Sequence, residues 1–219
     1  MTALSGPMLP LLSGKPPKQL MVLLHGYGSD GTDLIGLGRE WRSLFPDMAF
    51  IAPNGPTICA RNPSGYEWFP LVDDGVALRR EDADAARPGI MTFLNDLWTQ
   101  TGLGPADTVL CGFSQGAMMA LNVATAMPQP VLAVLAFSGL FIPSDAFDAE
   151  RGAKPPIALI HGEVDGVVPA AASRGAAELL SGRGFDVRLH ISPGVPHGIA
   201  PDGLDFASSF LVAEMVAKA

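Results

Sequence analysis

The pentapeptide Gly112-Phe113-Ser114-Gln115-Gly116 sets a serine between two glycines. The apolar run 108–111 (TVLC) leads into it, and the small, apolar stretch 114–127 leaves it. That order places Ser114 on a turn where a strand passes directly into a helix, the requirement for a nucleophile elbow. The flanking glycines permit a turn tight enough to hold the central residue in a strained backbone conformation. Its hydroxyl is then lifted above the sheet, where it can attack an acyl carbonyl. The following amide, Gln115 N–H, sits at the helix start and can donate to a developing oxyanion. A change of side chain at Gln115 leaves that amide in place.

A serine nucleophile needs a base, and the chain has four histidines. His25 and His161 each end an apolar run and precede glycine, which suits structural turn residues. His190 lies within a strand, where the pleat fixes its side chain. His197 lies in the loop 192–198 (SPGVPHG) between the last strand and the last helix. On this kind of sheet the chain order is nucleophile, acid, base. A loop can bring a ring to the top of the sheet, so His197 is the expected base. The acid that orients it should follow a strand at its C-terminal end. Asp165 does so in 161–169 (HGEVDGVVP), with Glu163 as a competitor and Asp145 and Asp148 as alternatives after the preceding strand.

A second oxyanion donor is expected in the loop 25–31 (HGYGSDG), where Gly26 and Gly28 allow close backbone approach and Tyr27 N–H is the candidate. Gly26, Gly28 and Gly31 also meet the spacing G-x-G-x-x-G. A dinucleotide site needs an acidic residue at the next strand end, and 48–56 reads MAFIAPNGP, so no nucleotide site is expected. No H-E-x-x-H or paired C-x-x-C occurs, and neither a metal nor any other cofactor is expected. Trp68, Phe69 and Leu71 either line a substrate cleft or plug the long segment 53–75. Cys111 reads as a small buried side chain, and Cys59 receives no role.

These residues must be carried by a regular frame. Apolar runs at 20–24, 48–52, 108–111, 131–137, 157–160 and 185–191 read as six strands, with one or two weaker ones before Leu20. Helical spacing follows at 32–44, 80–101, 114–127, 170–180 and 204–216, and Arg87-Pro88-Gly89 could split the second. Residues 53–75, rich in glycine and proline, read as a long surface loop. The alternation predicts a mostly parallel sheet with helices on both faces, in one domain over 1–219.

Composition narrows the function classes. Hydrophobic residues make up 48% and charged residues 16% of the 219, which excludes disorder as the main state. The net charge of −8, without a basic stripe, argues against a nucleic-acid partner. No apolar run is long enough for a membrane span, and no signal peptide is evident. Two cysteines do not make a disulfide framework, so a cytoplasmic setting is expected.

Taken together, LLHGYGSDG, GFSQGA, HGEVDGVVP and PHGI resemble the phospholipase/carboxylesterase family of α/β-hydrolases, which includes bacterial carboxylesterases and acyl-protein thioesterases. The resemblance covers nearly the whole chain. It implies an α/β-hydrolase fold without a large cap domain, a Ser114, Asp165 and His197 triad, and oxyanion amides at Tyr27 and Gln115. Many relatives carry leucine where this chain has Tyr27. PNGPTICARNPSGYEWFPL is similar to the family's tryptophan-containing loop in part. The implied activity is hydrolysis of a small-molecule or lipid-like carboxylic ester through an acyl-enzyme, with acyl-thioester or lysophospholipid hydrolysis as the alternative. Members are often dimers, and a homodimer stays open.

Overall fold

The computed structural model describes residues 4–71, 80–147 and 152–217. Seven strands form one sheet in the order β1-β3-β2-β6-β7-β8-β9, from Met8–Leu9 (β1), Gln19–Leu24 (β2), Met48–Ile51 (β3), Thr108–Phe113 (β6), Ala133–Phe137 (β7), Ile157–Gly162 (β8) and Val187–Ser192 (β9). All neighbours are parallel except β1, which runs antiparallel to β3. Five helices complete the frame: α1 Gly31–Trp41, α2 Arg80–Thr101, α3 Gln115–Ala126, α4 Ala171–Ser181 and α5 Pro201–Ala217.

The central strands are apolar throughout because both faces are covered. Successive side chains alternate between two cores. Met21 and Leu23 of β2 and Val109 and Cys111 of β6 face a core shared with Leu34, Ile35 and Trp41 of α1 and Phe210 and Leu211 of α5. Val22, Leu24 and Leu110 face the other way, toward Ile90 and Leu94 of α2, the buried length of α3, and Leu180 of α4. The edge strand β9 is only partly buried, in keeping with its alternating sequence.

Two expectations are corrected. Residues 53–75 are not a featureless loop in their described part. Thr57–Cys59 (β4) and Asn62–Glu67 (β5) pair antiparallel as a hairpin, with an irregularity between Ile58 and Cys59. Its strands are short and interrupted by Pro63 and Gly65, so they carry too little alternation to be read as strands. Residues 72–75 lie outside the described residues.

The second helix is not split at Pro88. Proline removes one helical hydrogen bond, and side chains around that turn hold it instead. Arg87 pairs with Asp84 at 2.6 Å and with Asp145 at 2.6 Å, and Asn122 of α3 donates to Asp84 at 3.1 Å. Burial of Ala83, Ile90 and Leu94 on one side keeps the helix continuous across the proline.

Candidate active site

Ser114 stands between β6 and α3 at φ 53°, ψ −117°, a positive φ that a residue with a Cβ rarely adopts. Its amide donates to Phe137 O at 2.8 Å, and its carbonyl accepts from Met118 N at 3.1 Å, so main-chain bonds on both sides hold the turn. The two glycines are sterically required. A Cβ on Gly116 would collide with the Leu24 and His25 carbonyls, and one on Gly112 would collide with the Gly116 backbone. The elbow is thereby pressed onto the end of β2, bringing the loop after β2 beside the serine. Gly26 lies there, and a Cβ on it would stand 3.2 Å from Phe113 Cδ1 and 3.5 Å from Ser114 Cβ.

Asp165 follows β8 and His197 follows β9, and the structure brings the two together. His197 Nδ1 is 2.6 Å from Asp165 Oδ2. The other carboxylate oxygen, Oδ1, accepts from Val167 N at 2.8 Å and Val168 N at 2.9 Å, which locks the carboxylate in its turn. Burial pushes the Asp165 carboxyl up, but the hydrogen bonds from His197 and from the two amides outweigh it, and its pKa lies below the ordinary value. Phe113 packs against the His197 ring at 4.9 Å between centroids.

The competing acids have other tasks. Glu163 accepts from Gly194 N at 2.9 Å and ties down the turn before His197. Asp145 is paired with Arg87, and Asp148 lies outside the described residues. His190 pairs with Asp202 at 2.7 Å on the edge of the sheet and stacks on Phe206, apart from this constellation.

His25 and His161 carry more than the turn role their positions imply. His25 is fully buried. Its Nδ1 donates to Gly26 O at 2.8 Å and its Nε2 accepts from Gly55 N at 2.8 Å, so it braces the loop after β2 against the segment after β3. Burial lowers its pKa, which keeps the ring neutral. His161 donates from Nε2 to Val168 O at 2.8 Å and stands 3.3 Å from Asp165 Oδ2, and its Nδ1 meets Ser173 Oγ at 2.7 Å. The one signal in the sequence is the four-residue spacing from His161 to Asp165.

The Gln115 side chain has partners of its own. It is buried, accepts from Trp68 N at 2.9 Å and donates to Phe69 O at 2.7 Å. Trp68 Nε1 in turn donates to His25 O at 2.9 Å. Trp68 and Phe69, each 2% exposed, fasten the hairpin to the elbow, and both also line a depression of about 360 Å³ with Leu4, Pro56, Thr57 and Ile90. Leu71 packs against the same core at its margin. The Tyr27 hydroxyl bonds the Cys59 thiol near Glu67, and these contacts with burial raise its pKa. Tyr27, in the loop after β2, and Gln115, at the start of α3, are linked through the Gln115 side chain, Trp68 and His25. Among the described residues no group of three or more histidine, cysteine, aspartate or glutamate side chains could hold a metal ion.

Comparison with known proteins gives a consistent picture. The model of the phospholipase/carboxylesterase family matches residues 12–215. Esterase YpfH of Escherichia coli (strain K12) is 34% identical over 90% of this chain and 83% of its own length. Acyl-protein thioesterase 1 of Gibberella zeae is 29% identical, over 90% of this chain and 91% of its own. The crystal structure of esterase PE8 superposes with a TM-score of 0.91 at 54% identity, covering 97% of this chain and 99% of that one.

Proposed function

The chain belongs to the phospholipase/carboxylesterase family and is a serine ester hydrolase, and from that premise we propose that it is a carboxylesterase working through an acyl-enzyme on Ser114, with His197 as base and Asp165 as its orienting acid. The observation that carries the reading is the 2.6 Å contact of His197 Nδ1 with Asp165 Oδ2. It fixes the ring proton on Nδ1 and leaves Nε2 as the acceptor, the tautomer a general base needs.

The reaction runs in two halves. Ser114 Oγ bonds to the acyl carbon as Nε2 of His197 takes its proton. The carbonyl electrons move onto oxygen, where the Tyr27 and Gln115 amides donate to the oxyanion. The adduct collapses, the bond to the leaving oxygen breaks, and His197 returns the proton to that oxygen. Water repeats the sequence on the acyl-enzyme, releasing the acid and restoring Ser114. No step calls for a cofactor. The strained φ of 53° at Ser114 supports the elbow role.

A second reading, acyl-thioester hydrolysis by the same residues, has the acyl-protein thioesterase relatives in its favour. A panel of p-nitrophenyl esters from acetyl to palmitoyl, run beside an acyl-thioester, tests the choice. Higher kcat/KM on the oxygen esters is expected, and a clear preference for the thioester would replace carboxylesterase with thioesterase. The proposal includes a cytoplasmic setting, supported by Cys59 and Cys111 being buried free thiols. No helix among the described residues is long and apolar enough to cross a membrane.

A further inference from the structure

We infer that the depression of about 300 Å³ lined by Asp33, Leu34, Gly36, Leu37, Phe113 and Ile199 is the leaving-group subsite, and that it selects esters of small, neutral, apolar alcohols. The inference rests on the serine-esterase reading and deepens it.

Its position follows from the chemistry. The leaving oxygen receives its proton from His197, so it must lie beside that ring, and whatever it carries projects from there. Neither Ser114 nor His197 is part of the depression's lining, but Phe113 joins it to both. Phe113, which precedes Ser114, lines it and packs on the His197 ring at 4.9 Å. Ile199, in the same loop as His197, forms another wall, and α1 supplies the remainder. On the opposite face of the sheet, Trp68 and Phe69 belong to the other core.

The lining sets the alcohol's character. Leu34, Leu37, Phe113 and Ile199 are apolar. The volume lies at the small end of the range for ligand pockets, about 300–1,000 Å³, which suits one ring or a short branched chain. Asp33 is the charged residue of the lining, and no basic side chain accompanies it among the described residues. Its Oδ2 accepts from Ser29 Oγ at 2.7 Å, and Asp30 caps the same helix end. Two carboxylates at this end disfavour an anionic alcohol.

Gly36 offers the means of testing this. Gly36 lines the depression and no atom lies within 4 Å of the Cβ it lacks, so a side chain added there starts in open space. Leucine also favours the helix over glycine.

The test measures kcat/KM for two ester series. One varies the alcohol of an acetate from methyl to butyl to benzyl. The other varies the acyl chain of p-nitrophenyl esters. In Gly36→Leu the benzyl-to-methyl ratio should fall by about tenfold or more, while the acyl-length profile keeps its shape. Ile199→Ala, which enlarges the depression, should move that ratio in the opposite direction. Asp33→Asn should raise the rate on 3-acetoxybenzoate relative to phenyl acetate by about fivefold. A changed acyl-length profile with an unchanged alcohol ratio would make the depression an acyl site and overturn the inference. So would two series that both keep their wild-type shapes. Failure of the underlying reading looks different: the wild-type protein would hydrolyse no member of either series, and a fluorophosphonate would leave Ser114 unlabelled.

Discussion

Asp165 and His197 meet through a single carboxylate oxygen, Oδ2, at 2.6 Å, and that same oxygen stands 3.3 Å from His161 Nε2. With Oδ1 occupied by two backbone amides, the carboxylate cannot rotate away from the His197 ring. Asp165→Asn keeps the volume but presents an amide where His197 needs an acceptor for its Nδ1 proton. The wrong tautomer then faces Ser114. We expect kcat to fall by about 10⁴-fold, with circular dichroism unchanged. A loss below about tenfold would remove Asp165 from the mechanism.

The two histidines on the last strand and its loop should behave differently. His197→Ala removes the base and should cost as much activity as Ser114→Ala. His190→Ala removes its stacking on Phe206 and its pair with Asp202, in which the two side chains are 27% and 43% exposed, and such exposed pairs contribute about 0–1 kcal/mol. Its activity should stay near wild type. If His190→Ala is the inactive variant, the base is misassigned.

Gln115→Ala tests the tie between elbow and hairpin. The Gln115 amide remains, but Trp68 N–H and Phe69 C=O lose their buried partner. At about 1–3 kcal/mol for each unpaired buried group, stability should fall by about 2–6 kcal/mol. A urea titration of the folded protein measures it. An unchanged midpoint would mean that water or neighbouring groups satisfy both positions and that the clamp contributes little.

Most of the frame, the Ser114 turn and the pairing of Asp165 with His197 were legible in the residues, while the bracing around them was not. The continuous apolar runs at 20–24 and 108–111 are strands because both faces are buried, and the glycines around Ser114 are required by backbone approach. The hairpin escaped because Pro63 and Gly65 interrupt its short strand. Pro88 suggested a break, and the groups that hold the turn, Asn122 on Asp84 and Asp145 on Arg87, come from 38 and 58 residues away. The same holds for Gln115, whose side-chain partners lie 46 and 47 residues away. Trp68 and Phe69 do both things the sequence left open: they are buried under the hairpin and they line a depression there.

His25 makes stability depend on pH in a stated direction. Burial holds its pKa below 6.5, so as pH falls the unfolded chain binds this proton before the folded one does. Its contribution is whole above about pH 6.5 and is lost progressively as pH falls toward the lowered folded value. His25→Gln can still accept from Gly55 N–H but does not titrate. Its melting temperature should therefore drop less between pH 7 and pH 5 than that of the wild type. Parallel drops in the two proteins would show that His25 does not govern this loss.

The most direct measurement is mass spectrometry of the protein after reaction with a fluorophosphonate. The phosphonyl group captures an activated serine by the same attack that begins ester hydrolysis. We predict one adduct per chain, on the peptide containing Ser114, and no adduct in Ser114→Ala or His197→Ala. An adduct on a different serine, or active enzyme with Ser114 unmodified, would contradict the account.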